Sequence, residues 1–388
     1  MIPMVKDVAS IPIARPQLPD RDQFMDLVAD LYESRMLSNF GKYCRLLEQR
    51  AAEAIDHPTP RCVASCDVGL VLAWKALGCR SGEVIVPSFT FCSTVNALKW
   101  NNLTPVFADI DPTTFCIDPE DVRRRITRKT IGIAATHTYG CPAAIAELEQ
   151  IAGEFNVKLV FDAAHGLGAA YQGQGLGAFG DASAFSLSGT KLVTSGEGGL
   201  VTFRDPETTR RFERLRGYGF IGDYNCHDAG LNGKLSELNA GLGWLSLGML
   251  PEAAAHRREQ VRLYVEELSG CRAVKFQRVA PNCIHGYKDL AIRFDQPDQR
   301  AAAENALAEC GIQTKRYFLP VHRMKAYAEF ANVKLPVTDA VYDRILCLPI
   351  FSDLDGQQIR RICQTIRGAV RKLNAPVAHH VEAARQAK

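Results

Sequence analysis

Residues 83–110, EVIVPSFTFCSTVNALKWNNLTPVFADI, decide the fold. Two short apolar runs, "EVIVP" and "TPVFADI", enclose a stretch, 91–101, that is compatible with a helix. Strand, helix, strand in so few residues reads as a crossover unit between parallel strands.

The same alternation continues in both directions. Upstream lies "RCVAS" with a helical stretch at 67–77; downstream come "IGIAATH" and "KLVFDAA", with helical stretches at 119–126 and 143–155. The pattern predicts an α/β fold, a mostly parallel central sheet with helices on both faces. In such sheets ligands gather at the carboxyl ends of the strands. Two helical patterns, "DRDQFMDLVADLYESRML" and "KYCRLLEQRAAEAI", form an N-terminal arm within residues 1–56. Runs at "ASAFSL" and "GGLVTF" precede helical segments at 205–216 and 235–269. Beyond about 270 the pattern changes, with strands expected near 273–278, 288–294 and 312–318 and helices near 298–310 and 353–373. That division predicts a large domain over 1–255 and a smaller C-terminal α+β domain over 256–388.

With 388 residues, 47% hydrophobic and 23% charged, the chain can bury a large core. A net charge of +3 without long like-charge runs gives no footprint for nucleic acid or membrane. The opening "MIPMVKDVASIPIARP" carries no continuous apolar segment after a basic one, which reads as cytoplasmic. The thirteen cysteines are scattered singly; the nearest pair, Cys62 and Cys66, has no second pair at metal spacing, so we expect reduced, mostly buried thiols and no metal. The tail "NAPVAHHVEAARQAK" reads as a frayed helix with His379 and His380 solvent-exposed.

Three features carry chemistry. Asp162 ends the apolar run "KLVFD", where a buried carboxylate needs a cation, a helix amide or a salt-bridge partner. Lys191 sits in "SLSGTKLVTSGEGG", a loop whose glycines at 189, 196, 198 and 199 serve either as turns or as points of close backbone approach to a ligand. If that lysine is exposed it does nothing; if it enters a pocket beside another cation, it becomes a neutral nucleophile. Finally, "VASCDVGLVLAWKALG" reads as strand, turn and helix, so the amides from Cys66 to Gly69 can meet an anion. Asp67 either competes for those amides or caps the helix. Ser186 and Ser188 offer hydroxyls to the same anion. An acid at a strand end, a lysine in a glycine-rich loop and an anion cradle together suit pyridoxal 5'-phosphate (PLP).

The sequence resembles the DegT/StrS family of PLP-dependent sugar aminotransferases over nearly its whole length. The likeness lies in "EVIVPSFTFCSTVNAL", "TPVFADIDPTTFCIDPE", "HTYGCPAAI", "VFDAAHGLGAAYQGQGLGAFGDASAFSLSGTK", "SGEGGLVTF", "LNGKLSELNAGLG" and "LCLPI". It implies fold type I of the PLP enzymes and a homodimer with shared active sites. Lys191 takes the place of the lysine that holds the cofactor's aldehyde, and Asp162 that of the partner of the pyridine nitrogen. His165 stands near the cofactor's phenolic oxygen, Phe91 where an aromatic stacks on the ring. Ser186 corresponds to the phosphate-binding hydroxyl, and Asn232 to a residue reaching the phosphate from the second subunit. His322 and Arg323, in "RYFLPVHRM", resemble a variant of members acting on nucleotide-linked 3-keto or 4-keto deoxysugars.

Departures lie close to the expected site. Ala64-Ser65-Cys66-Asp67 stands where the family commonly has Ser-Asn-Gly-Thr, Leu187, Ser188 and Gly189 replace the usual residues before the lysine, and Lys234 replaces a common Arg. The resemblance implies amino transfer from glutamate or glutamine to a keto sugar. Keto-cyclitol amination, elimination or replacement on an amino acid, and a non-catalytic PLP-binding regulator remain alternatives. A family dehydratase would carry histidine in place of Lys191.

Overall fold

The computed structural model describes residues 10–223 and 225–374; the tail carrying His379 and His380 lies outside them. In chain order the elements are α1 (Arg21–Ser34), α2 (Lys42–Ala54), β1 (Arg61–Val63), α3 (Cys66–Ala76), β2 (Glu83–Pro87), α4 (Cys92–Trp100), β3 (Thr104–Ala108), α5 (Pro119–Arg125), β4 (Thr130–Thr136), α6 (Ile145–Phe155) and β5 (Lys158–Asp162). Two short ribbons, β6 (Ala170–Tyr171) and β7 (Gln174–Gly175), lead to β8 (Ala182–Ser186), β9 (Gly199–Phe203), α7 (Pro206–Arg216), α8 (Glu237–Gly248) and α9 (Leu250–Leu268). The remainder is β10 (Val274–Phe276), β11 (Cys283–Ile284), β12 (Leu290–Phe294), α10 (Pro297–Glu309), α11 (Pro336–Arg344), β13 (Ile345–Leu348) and α12 (Gly356–Asn374).

The central sheet runs β1-β9-β8-β5-β4-β2-β3. Neighbours from β8 to β3 are parallel, and only β9 is reversed, antiparallel to both β8 and β1. Strand residues alternate between two cores, as the pleat requires. Ile85, Leu159, Phe161, Phe185 and Leu200 face the layer of α1, α2, α6 and α8. Val84, Val86, Val160, Val201 and Phe203 face α3, α4 and α7. The apolar runs lack a polar phase because helices cover both faces.

A second sheet, β10-β12-β13, is antiparallel throughout and packs with α9, α10 and α12. The strand expected at 312–318 does not form. Ile312 and Lys315 make only isolated bridges, to Ile11 and Cys347, and the third strand is β13 instead. "ILCL" is buried along its whole length, whereas Gln313 and Lys315 keep polar side chains that a central position would desolvate. The expected division after residue 255 falls inside α9: Leu250, Ala253 and Ala254 join the large core, Val261, Tyr264 and Leu268 the smaller one. Among the described residues no helix is long and apolar enough to cross a membrane.

Candidate active site

The carboxyl ends of β2, β4, β5 and β8 open onto a cavity of about 350 Å³, a size suited to a small ligand. Asp162, Lys191, His165, Phe91, Ser186, Cys66 and Asp67 all line it.

Asp162 closes β5 and is 3% exposed. The Thr94 hydroxyl donates to its Oδ2 at 2.5 Å and the Ala164 amide to its Oδ1 at 3.0 Å. Thr94 is joined through Thr90 to Thr136, at 2.8 and 2.9 Å, so a row of hydroxyls from three elements ends on the acid. Burial pushes the Asp162 carboxyl above the ordinary carboxylate range, opposed by the Thr94 and Ala164 hydrogen bonds and by the Lys191 charge.

Lys191 is half-buried on the loop between β8 and the reversed β9. That loop is held at its base: the Leu187 amide donates to Gly198 O at 2.9 Å and the Ser195 amide to Leu187 O at 2.8 Å. From α8, Asn239 donates to Ser195 O at 2.7 Å and to Glu197 O at 3.1 Å. Burial, and then the neighbouring Lys288 ammonium, push the Lys191 amine down to about 8. A usable fraction is therefore neutral near physiological pH.

At the other end, Ser65 caps α3, its Oγ accepting from the Val68 amide at 3.2 Å. Asp67 is thus not the cap; its carboxylate is exposed in the first turn. The amides of Cys66 and Asp67 head the helix, where no preceding turn can accept them. They meet the Ser186 hydroxyl on the same cavity wall. Gly199 makes this approach possible, since a Cβ there would lie 2.8 Å from Cys66 N and 2.9 Å from Phe185 O. Both contacts are backbone, so Gly199→Ala is expected to destabilise the protein by about 1–3 kcal/mol and weaken anion binding, read by thermal melting with and without inorganic phosphate.

Phe91, at the start of α4, is 55% exposed with its ring edge-on to Phe318 at 6.5 Å, so a face is free for a flat ligand. Amides and hydroxyls for a phosphate, an aromatic face, a buried acid and a partly neutral amine fit PLP. The exposed Asp67 carboxylate at the head of α3, and that of Glu197 elsewhere on the lining, would repel an anion.

Two expected groups of residues are not brought to this cavity. Asn232 is exposed, on a strand-like bridge to Gly217. His322 is 3% exposed, its Nδ1 2.7 Å from Ser88 Oγ and its Nε2 3.4 Å from Asp339 Oδ1. Arg323 pairs with the same Asp339 at 2.5 Å. Conversely, Lys288, Asp289, Tyr317 and Phe318 line the cavity and were not singled out from sequence. A Lys-Asp pair directly before the apolar "LAIRF" is the signal that marks two of them, since charges entering a buried strand need a reason. Among the described residues no cluster of His, Cys, Asp and Glu could hold a metal.

A lysine and a buried acid on the walls of one cavity, with an anion cradle at a helix start, define a PLP-dependent enzyme of fold type I. Residues 19–367 match the model of the DegT/DnrJ/EryC1/StrS aminotransferase family, and the chain belongs to that family. GDP-perosamine synthase of Escherichia coli O157:H7 is 31% identical over 359 residues, covering 92% of this chain and 97% of its own length. The dTDP-3-amino-3,6-dideoxy-alpha-D-galactopyranose transaminase of Aneurinibacillus thermoaerophilus is 32% identical over 73% of this chain and 78% of its own. A crystal structure of DesI in the presence of its TDP-sugar product superposes with a TM-score of 0.88 at 32% identity, over 94% of each chain.

Proposed function

We propose that this aminotransferase moves an amino group from glutamate or glutamine to a nucleotide-linked 3-keto or 4-keto deoxysugar. The observation that carries the reading is the placement of Lys191 and Asp162 on one cavity, the amine held near neutrality by its surroundings. The sugar class rests on the relatives named above.

When bound, PLP supplies the electron sink. The chain's own residues do the rest. Asp162 holds positive charge at the pyridine nitrogen, its two oxygens fixed by Thr94 and Ala164. Ser186 and the amides of Cys66 and Asp67 would hold the phosphate, and Phe91 would offer its face to the ring. Lys191 Nζ would serve as the acid and base that moves the proton, the task of a group whose pKa lies near the working pH. His322 and Arg323 act on substrate only if a second subunit or a substrate-driven shift brings it to them.

The protein acts as a cytoplasmic homodimer. Supporting the dimer, Met25, Tyr32, Met36 and Leu37 of the N-terminal arm and Leu231 beside Asn232 are exposed apolar side chains that a partner could cover. Asn232 of the second subunit would then reach the phosphate. Purified protein given PLP, L-glutamate and a nucleotide-linked keto deoxysugar is expected to release 2-oxoglutarate and an amino sugar in equal amounts, measured by mass spectrometry. Release of ammonia and a keto acid from an amino acid carrying a leaving group on its β-carbon, such as O-acetyl-L-serine, with no amino sugar formed from glutamate, would replace transfer by elimination.

A further inference from the structure

The second sheet contributes a pair of charges to the cavity wall. Lys288 and Asp289 immediately precede β12 and are 7% and 4% exposed. Lys288 Nζ lies 2.7 Å from Asp289 Oδ1. A buried ion pair offsets its desolvation only when its remaining polar atoms are also satisfied. Here one is not: Asp289 Oδ2 is buried without a hydrogen-bond partner. It faces His165 Nδ1, equally buried and equally unpartnered, at 3.8 Å.

Two orphaned atoms of complementary chemistry, so close, call for an account. A bridging water does not supply one, because two hydrogen bonds of ~2.8 Å would ordinarily hold their ends well beyond 4 Å. A shift of under ~1 Å closes a direct bond. The His165 ring is held for it, lying against Phe318 at 5.9 Å and 27°. Burial, with Lys191, Lys288 and His285 nearby, keeps the imidazole neutral, so only one ring nitrogen carries a proton. A carboxylate accepts and cannot donate, which decides where that proton sits.

We propose that Asp289, anchored by Lys288, is a positioning residue that fixes His165 in the Nδ1–H tautomer, leaving the Nε2 lone pair to accept a hydrogen bond from a hydroxyl in the cavity. The proposal rests on the aminotransferase reading only in treating this cavity as the active site. It makes a cofactor or sugar hydroxyl the partner of His165 and disfavours an anionic oxygen there.

The test is nitrogen-15 NMR of the histidine rings in the full-length protein, with and without PLP, the His165 signals assigned by their loss in His165→Gln. In the wild type Nδ1–H is expected to be favoured by about tenfold or more, the worth of one hydrogen bond to a charged group. In Asp289→Asn that preference should fall to parity or reverse. Should Asp289→Asn not fold, leaving Lys288 unpaired, the double variant Lys288→Met with Asp289→Leu removes both charges and should show the same loss. Nε2–H predominating in the wild type, or a preference unchanged in the variants, overturns the proposal. Failure of the aminotransferase reading would show separately, as absent PLP absorbance and absent amino transfer with the tautomer preference intact.

Discussion

Lys191→Ala is expected to abolish amino transfer, by roughly 10⁴-fold or more, the upper range for loss of a positioned acid-base group. It should also remove the visible absorbance that PLP gives when held by the wild-type protein. The variant should nonetheless be the more stable protein without cofactor. Burial and Lys288 hold the Lys191 amine at about 8, below its ordinary 10.5. Below pH 8 both folded and unfolded chains carry the proton, and the folded one bears the full cost of a desolvated charge. Between 8 and 10.5 the unfolded state binds more protons, so wild-type stability rises with pH and the penalty disappears. Lys191→Ala should therefore melt higher at pH 7, by an amount on the order of 1–3 kcal/mol, and the advantage should vanish toward pH 10.5. A variant that is inactive because it is misfolded would show the reverse.

Asp162→Asn is expected to cost roughly 10³-fold in kcat, the scale for removing one preorganised electrostatic partner. Asparagine keeps the shape, and its single oxygen can still accept from Ala164; its amide nitrogen then faces Thr94, whose hydroxyl can turn to donate to Thr90, so the charge and one accepted bond are lost. PLP should still bind and still react with Lys191, since the phosphate cradle and the amine are untouched. The variant should be arrested in taking nitrogen from glutamate, visible in single-turnover absorbance. Melting without cofactor provides the control. Burial raises the Asp162 carboxyl, so wild-type stability falls as pH rises from the ordinary carboxylate range to the raised value. At neutral pH the amide should thus melt no lower than the acid. A large loss of stability would mean that Asp162 is chiefly structural.

The α/β architecture was readable because each apolar run is short and covered on both faces. "EVIVP", "KLVFDAA" and "ASAFSL" became β2, β5 and β8, the last two ending two residues and one residue earlier than the apolar runs. The segment 312–318 misled because Ile312 and Phe318 are apolar yet serve different neighbours, Ile312 in the smaller core and Phe318 against Tyr139 and His165. Within the site, residues from the first two hundred positions announced themselves by glycines, strand ends and a helix start. Lys288 and Asp289 left one signal, a charged pair at the mouth of an apolar run, and Tyr317 and Phe318 left none; that all four reach this cavity depends on how the second sheet packs, which no local spacing encodes. The identity of the α3 cap likewise needed coordinates: Ser65 and Asp67 are both good caps, and only φ and ψ choose between them.

The single reversed strand has a mechanical consequence. Since β9 turns back along β8, the lysine loop leaves and rejoins the sheet at one rim and is clamped at both ends, like a bridge on two piers. Its slack is confined to the span between Leu187 and Gly198, and Asn239 props that span from below. The amine can therefore travel over its own side-chain length while its backbone stays put. A group that must detach, work on a substrate and return to the same place needs such a moving arm on a fixed mount.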